Sequence, residues 1–393
     1  MPPSAHRPDW DIFCTVIDNF GDIGVCWRLA RQLATEHGLK VRLWVDDLQA
    51  FRALCPPIDA RLSMQSAYGI EIRHWTGGAS ETHELASEIV PGHVVIEAFA
   101  CHIPERFITR MAQCGPRPIW INLDYLSAED WVVGCHALPS PHPRLPLVKY
   151  FFFPGFTPDT GGLLREKELL LRRQNFANNP VLQAEFWREI GGPPPENTLR
   201  VSLFAYENPS IADLLHAWTV ADMPTCCLLP VSRALPAVES FCQQRLKAGD
   251  IVQHGALEIR VLPFVEQSRY DTLLWACDLN FVRGEDSLVR AQWAARPFVW
   301  HIYPQEENAH LHKLDAFLNL YCATLDEASS AVVRAFWHAW NSAPNTAPID
   351  WPSLHGALPK LREHTVHWAE KLAAQEDLAH SLLRFCRSQR SKL

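Results

Sequence analysis

Apolar residues cluster in short runs along the first third of the chain, and the stretches between them change to helical spacing. Asp11 to Ile17, Val41 to Val45, Ile70 to Trp75, Val94 to Ala98 and Ile119 to Leu123 are rich in β-branched and aromatic residues and read as strands. Between the first two, Val25, Leu29, Ala30 and Leu33 fall on one helical face, predicting a helix from Val25 to His37. Gly38 then stands where a left-handed C-cap is wanted. The rhythm is strand, loop, helix, strand.

A second series of the same kind follows the breaker Gly191-Gly192-Pro193-Pro194-Pro195. Its strands are predicted at Leu199 to Ala205, Thr225 to Pro230, Ile259 to Pro263, Leu279 to Val282 and Phe298 to Ile302. Asn208-Pro209 supplies a cap and a first-turn proline for a helix through Trp218, and Asp278 to Arg283 leads through Gly284 into a helix from Ser287 to Ala295. The stretch from Leu163 to Ile190 joins the two series, and a helical tail is expected from Pro359 to Ser388. The organisation this predicts is an α/β chain with an N-terminal Rossmann-like domain (1–162), a linker region (163–198) and a second Rossmann-like domain (199–358). C-terminal helices (359–393) pack back toward the first domain. Two such domains facing a central cleft would bring their strand C-termini, the usual ligand crevice of open parallel sheets, to one place. That is the GT-B arrangement, although several enzyme classes share paired Rossmann-like halves, so fold alone does not assign chemistry.

Composition narrows the classes. At 393 residues the chain exceeds one ordinary hydrophobic core, and 48% hydrophobic with 20% charged residues is the balance of a folded globular protein. A net charge of −8 argues against a general nucleic-acid binder. The N-terminus, Met1 to Asp9, is Pro-rich and polar without the apolar core of a signal peptide, and no run approaches the ~20 apolar residues of a membrane span. A cytoplasmic protein with no membrane partner is expected. The 12 cysteines form no C-x-x-C pair and read as buried small hydrophobes, with neither disulfides nor zinc.

Two constellations carry candidate chemistry. Val16 to Gly24 (Val-Ile-Asp-Asn-Phe-Gly-Asp-Ile-Gly) lies between the first strand and first helix, placing Asp18 and Asp22 at a cleft edge. Gly21 and Gly24 permit tight turns, but Asn19 interrupts any G-x-G-x-x-G dinucleotide fingerprint. Either the two carboxylates do acid-base work or they only shape the loop and cap the helix. The second constellation, Phe281 to Ser287, runs from a strand end into a helix start, where unpaired N-H groups, Arg283 and Ser287 suit a diphosphate. Glu285 and Asp286 repel phosphate and point instead to sugar hydroxyls, or simply stabilise an acidic helix start. Phe204 and Tyr206 alternate onto one face, either to sandwich a pyrimidine base or as core aromatics at a strand end. His310 and His312, two apart on a predicted helix, cannot share a face as metal ligands.

Taken together, Asp11 to Leu33, Leu203 to Asn208, Arg283 to Ala294 and Trp300 to Gln305 resemble the EarP family of protein-arginine rhamnosyltransferases over nearly the whole chain. The resemblance implies a GT-B glycosyltransferase that moves L-rhamnose from dTDP-β-L-rhamnose, with inversion and without metal or other cofactor, to an arginine of elongation factor P. Carried over position by position, it makes Asp22 the base aided by Asp18, with Glu285 also among the catalytic groups. Donor contacts fall on Phe204, Tyr206, Gln267, Arg283, Glu285, Asp286 and Ser287, joined by Phe20 and Gly21. Acceptor contacts fall on Asp18, Asn19 and Asp22. Competing readings are a GT-B transferase with a lipid or small-molecule acceptor, a non-catalytic nucleotide-sugar sensor, and a nucleotide-sugar epimerase.

Overall fold

The computed structural model of the chain describes residues 7–18, 20–75, 89–342 and 348–391. These divide into two compact units, 1–167 with 373–393 and 168–372.

In the first unit the order is β1 (Trp10–Cys14), α1 (Gly21–His37), β2 (Val41–Val45), α2 (Leu48–Leu54), β3 (Met64–Ala67), β4 (Ile70–His74), β5 (Val94–Ala98), α3 (Glu105–Gln113), β6 (Ile119–Leu123), α4 (Trp131–Cys135), β7 (Pro139–Pro141) and β8 (Val148–Phe152). They form a sheet of order β3-β4-β2-β1-β5-β6-β8-β7, parallel from β4 through β8 with an antiparallel strand at each edge. Strands β1, β2, β5 and β6 are buried at every position, which is why they read as continuous apolar runs in the sequence. Phe13 stacks on Trp44 at 5.1 Å on one face of this sheet. Where β1 and β2 begin, the buried Asp11 carboxylate accepts from Arg42 at 2.6 and 3.0 Å, from Trp44 Nε1 and from Gly92 N-H, so its charge is paired and its lone pairs are filled.

The second unit carries α5 (Leu169–Asn178), α6 (Pro180–Glu189), β9 (Leu199–Leu203), α7 (Ser210–Thr219), β10 (Thr225–Pro230), α8 (Leu235–Cys242), β11 (Ile251–His254), β12 (Leu257–Leu262), α9 (Gln267–Ala276), β13 (Leu279–Arg283), α10 (Gly284–Ala294), β14 (Phe298–His301), α11 (Ala309–Tyr321), α12 (Glu327–Asn341) and α13, which starts at Trp351. Its sheet runs β11-β12-β10-β9-β13-β14, parallel except for the β11 edge. Phe281 and Trp340 meet at 4.8 Å and Phe298 and Trp337 at 5.3 Å, packing α12 against β13 and β14.

In both sheets the first strand lies in the middle and the chain later returns to its other side, between β1 and β5 and between β9 and β13. The loops after β1, β5, β9 and β13 therefore flank a topological switch point, where open α/β sheets bind ligands.

The C-terminal helices begin earlier than the Pro359 expected from the sequence. Helix α13 spans Trp351–Ala373 with Pro359 inside it, and α14 (Leu378–Arg390) follows after a break. Buried Trp351, Leu354, Leu358, Leu361 and Trp368 hold α13 through the proline, so packing outweighs the one lost backbone hydrogen bond. Helix α14 belongs to the first unit. Leu378 N-H bonds Leu163 O at 3.0 Å, Gln32 donates to Asp377, and Phe385 meets Tyr150 edge-on at 5.2 Å.

Candidate functional site

In the first unit, the segment after β1 is built around Asp22. Helix α1 begins at Gly21, four residues before the predicted start, so Asp22 sits in its first turn rather than in a free loop. The apolar spacing marked only the core-facing part of the helix. The Asp22 Oδ2 accepts from the N-H groups of Ile17 and Asp18, each at 2.8 Å, which fixes the loop. No donor among the described residues reaches its Oδ1. Burial raises the Asp22 carboxyl above its usual value against the pull of those two N-H groups, and the charges of Asp18 and Asp46 add to the rise.

Asp46, just past β2, is a site neighbour that sequence reasoning missed. Its Oδ1 accepts from Val16 N-H at 2.9 Å, so three consecutive backbone N-H groups, from Val16 to Asp18, are held by two carboxylates. A carboxylate immediately following a buried strand next to β1 was the available signal. Gly21 permits a close approach, because a Cβ there would lie 2.7 Å from Asp18 Oδ2. Phe20 is half-buried, Ile17 is 63% exposed, and Asn19 lies outside the described residues.

In the second unit, the ends of β9, β13 and β14 and the starts of α9 and α10 gather most of the remaining predicted residues. Arg283 ends β13 and is nearly buried, with its guanidinium 4.6 Å from the ring centroids of both Phe204 and Tyr206. The aromatic pair thus braces a cation in this structure. Gly284 adopts φ 61°, a left-handed value that a residue with a Cβ resists, and its carbonyl accepts from Trp300 Nε1 at 2.9 Å. Strand β13 thereby turns sharply into α10. The N-cap residue, Arg283, makes no side-chain capping bond, while Glu285 and Asp286 lie in the first turn and Ser287 is buried.

Gln267, the first residue of α9, donates to Asp286 Oδ2 at 3.3 Å, which joins two predicted donor residues 19 positions apart. Beneath them, Arg290 and Asp271 form a buried two-pronged ion pair at 2.6 and 2.7 Å that ties α10 to α9. Its two members are ordinary helix residues in the sequence and carried no motif signal. Among the described residues no group of three or more His, Cys, Asp or Glu gathers as a metal site, and no helix is long and apolar enough to cross a membrane. His310 sits on α11, and its Nδ1 accepts from Gln305 N-H at 3.1 Å.

The two α/β sheets, each with a switch point at its strand C-termini, are those of the GT-B fold. The fold is shared at TM-score 0.52 by a UDP-glucosyltransferase from Polygonum tinctorium, 10% identical over 98% of this chain and 99% of that one. The sequence model described as elongation factor P (EF-P) rhamnosyltransferase EarP matches residues 10–387. A protein-arginine rhamnosyltransferase of Pseudomonas putida is 47% identical over 97% of this chain and 99% of its own length. A structure solved to explain EarP-mediated arginine glycosylation of translation elongation factor EF-P superposes with TM-score 0.67, at 35% identity, over 97% of this chain and 99% of the other. The chain belongs to the EarP family and is a glycosyltransferase of the protein-arginine rhamnosyltransferase type.

Proposed function

We propose that the protein transfers L-rhamnose from dTDP-β-L-rhamnose to an arginine side chain of elongation factor P, in the cytoplasm, with inversion at the anomeric carbon and without a metal. The Asp22 carboxylate carries this reading. One of its oxygens is fixed by two backbone N-H groups and the other has no donor among the described residues, in a chain whose relative is named for arginine rhamnosylation.

Arginine is a poor nucleophile because its guanidinium stays charged. Its pKa lies so far above that of an ordinary Asp that deprotonation by a carboxylate beforehand would cost on the order of 13 kcal/mol. The carboxylates therefore act differently. Asp18 and Asp22 hold the planar fork by charge-assisted hydrogen bonds and aim one nitrogen at the anomeric carbon. As the new C-N bond forms and the C-O bond to the diphosphate breaks, that nitrogen loses basicity and Asp22 takes its proton. The Asp22 carboxyl, already raised by burial, is better suited to accept a proton than an exposed aspartate.

At the donor, negative charge develops on the departing diphosphate. Arg283, the N-H groups that open α10, and Ser287 are the groups of the second unit suited to stabilise it. Gln267, Glu285 and Asp286 are assigned to sugar hydroxyls, and Phe204 and Tyr206 to the base once Arg283 turns to the phosphates. By resemblance to the family, Phe20 and Gly21 are assigned to the donor and Asn19 to the acceptor.

The test is the stereochemistry of the product. The β-configured donor should give an α-rhamnosyl arginine, read from the anomeric resonances, with the rate unchanged by a chelator. A β-linked product would overturn inversion, and loss of activity with chelator that returns on adding a divalent cation would overturn the metal-free step.

A further inference from the structure

His301 closes β14 in register with Arg283 at the end of β13, and residues level on adjacent strands share a sheet face. Both meet Tyr206. The guanidinium of Arg283 lies 4.6 Å from its ring centroid, and the His301 imidazole sits edge-on at 5.2 Å. Trp340 borders the imidazole on another side at 6.0 Å.

Only 5% of His301 is exposed, and its Nδ1 is buried with no hydrogen-bond partner among the described residues. An aromatic cage of Tyr206 and Trp340 explains the packing of the ring but offers that nitrogen nothing. Buried polar atoms left in this condition are rare and unfavourable, so the orphan calls for a ligand or a function. Its neighbourhood supplies one. A fixed cation, Arg283, stands level with it on the neighbouring strand at the switch point of the sheet, where an anion is the natural guest.

We propose that His301 is a donor-binding residue, its Nδ1-H donating to the diphosphate of the bound sugar nucleotide beside Arg283. This rests on the donor reading above and adds a contact to it. A neutral imidazole suits the task, because a second cation would repel Arg283 when the site is empty. Burial first, then the charges of Arg283 and His310, push the His301 pKa down to about 3, which keeps the ring uncharged at neutral pH.

The experiment compares dTDP with thymidine. Wild type and His301→Phe are titrated with each ligand by calorimetry, His301→Asn serves as a smaller variant that keeps an N-H, and ¹⁵N spectra of the wild-type imidazole are recorded with and without dTDP. His301→Phe should lose about tenfold or more in dTDP affinity, the size expected for a hydrogen bond to a charged group. Its thymidine affinity should stay within about twofold, since the proposed hydrogen bond goes to the diphosphate that thymidine lacks, and His301→Asn should recover part of the loss. The Nδ1 resonance of the wild type should shift on saturation with dTDP. Equal losses for both ligands would mean that His301 only shapes the Tyr206 pocket. An unshifted Nδ1 resonance at saturation would overturn the proposal even if His301→Phe failed to fold. Wild type that does not bind dTDP at all would sink the donor reading itself, a result separate from either of these.

Discussion

Arg290 donates from two nitrogens to the two oxygens of Asp271, at 2.6 and 2.7 Å, and both side chains are buried. The pair joins α9 to α10 a few residues from Gln267 and Ser287, so the placement of these proposed donor residues depends on it. Removing one member leaves the other as an uncompensated buried charge, which costs about 3–5 kcal/mol. Arg172, 3.9 Å from the same carboxylate, will soften the loss of Arg290 but cannot replace its geometry. Arg290→Met and Asp271→Leu should each lower unfolding free energy by about 3 kcal/mol or more in denaturant titrations, and the double variant should recover much of it. Single variants within about 1 kcal/mol of wild type would contradict this.

Arg283 is held against aromatic faces. A lysine keeps the charge but not the flat group that fits between Phe204 and Tyr206. Arg283→Lys should weaken dTDP binding on the order of tenfold. Calorimetry showing wild-type affinity would remove Arg283 from the diphosphate site.

Gly21→Ala tests the other end of the reaction. The added methyl would sit 2.7 Å from Asp18 Oδ2 and 3.2 Å from its Cγ, so the Asp18 carboxylate must move aside. If that carboxylate aims the guanidinium, kcat should fall by roughly 10²-fold, the cost of an ångström-scale misplacement. Thermal stability should change by less than about 1 kcal/mol, because the displaced group is one partly exposed side chain. Unchanged turnover would separate Asp18 from catalysis.

Because Asp22 must be ionised to take a proton, transfer should fail as pH drops through its pKa, which burial sets above the ordinary carboxylate value. Asp46→Asn keeps an oxygen for Val16 N-H but removes a negative charge that raises the Asp22 pKa. Asp22 then stays ionised to lower pH, and the acid limb of the kcat profile should shift downward. An upward shift would contradict the assignment of that limb to Asp22.

The legible parts of this fold were those where one physical cause dominates. Strands Val41–Val45, Val94–Ala98, Ile119–Leu123 and Thr225–Pro230 are buried at every position and match their apolar runs end to end. Met64–Ala67, Pro139–Pro141 and Ile251–His254 were missed because antiparallel edge strands are short, half-exposed and mixed in polarity. Val148–Phe152 escaped as well, since most of its residues are only partly buried. Helix α1 began earlier than its spacing suggested because Gly21 and Asp22 are chosen for the loop they anchor rather than for helix propensity. At the site, residues inside continuous motifs could be named from sequence. Asp46 and Asp271 could not, because each matters through a partner that only folding brings near, and His301 lay inside the Trp300 to Gln305 motif with nothing in the sequence to mark its buried neighbours.

The most direct measurement is the intact mass of purified elongation factor P after incubation with this protein and dTDP-rhamnose, followed by fragmentation to locate the change. One deoxyhexose on a single arginine is predicted for wild type, and none for Asp22→Asn despite near-normal dTDP binding. No mass gain with wild type, or the same gain with Asp22→Asn, would contradict the account.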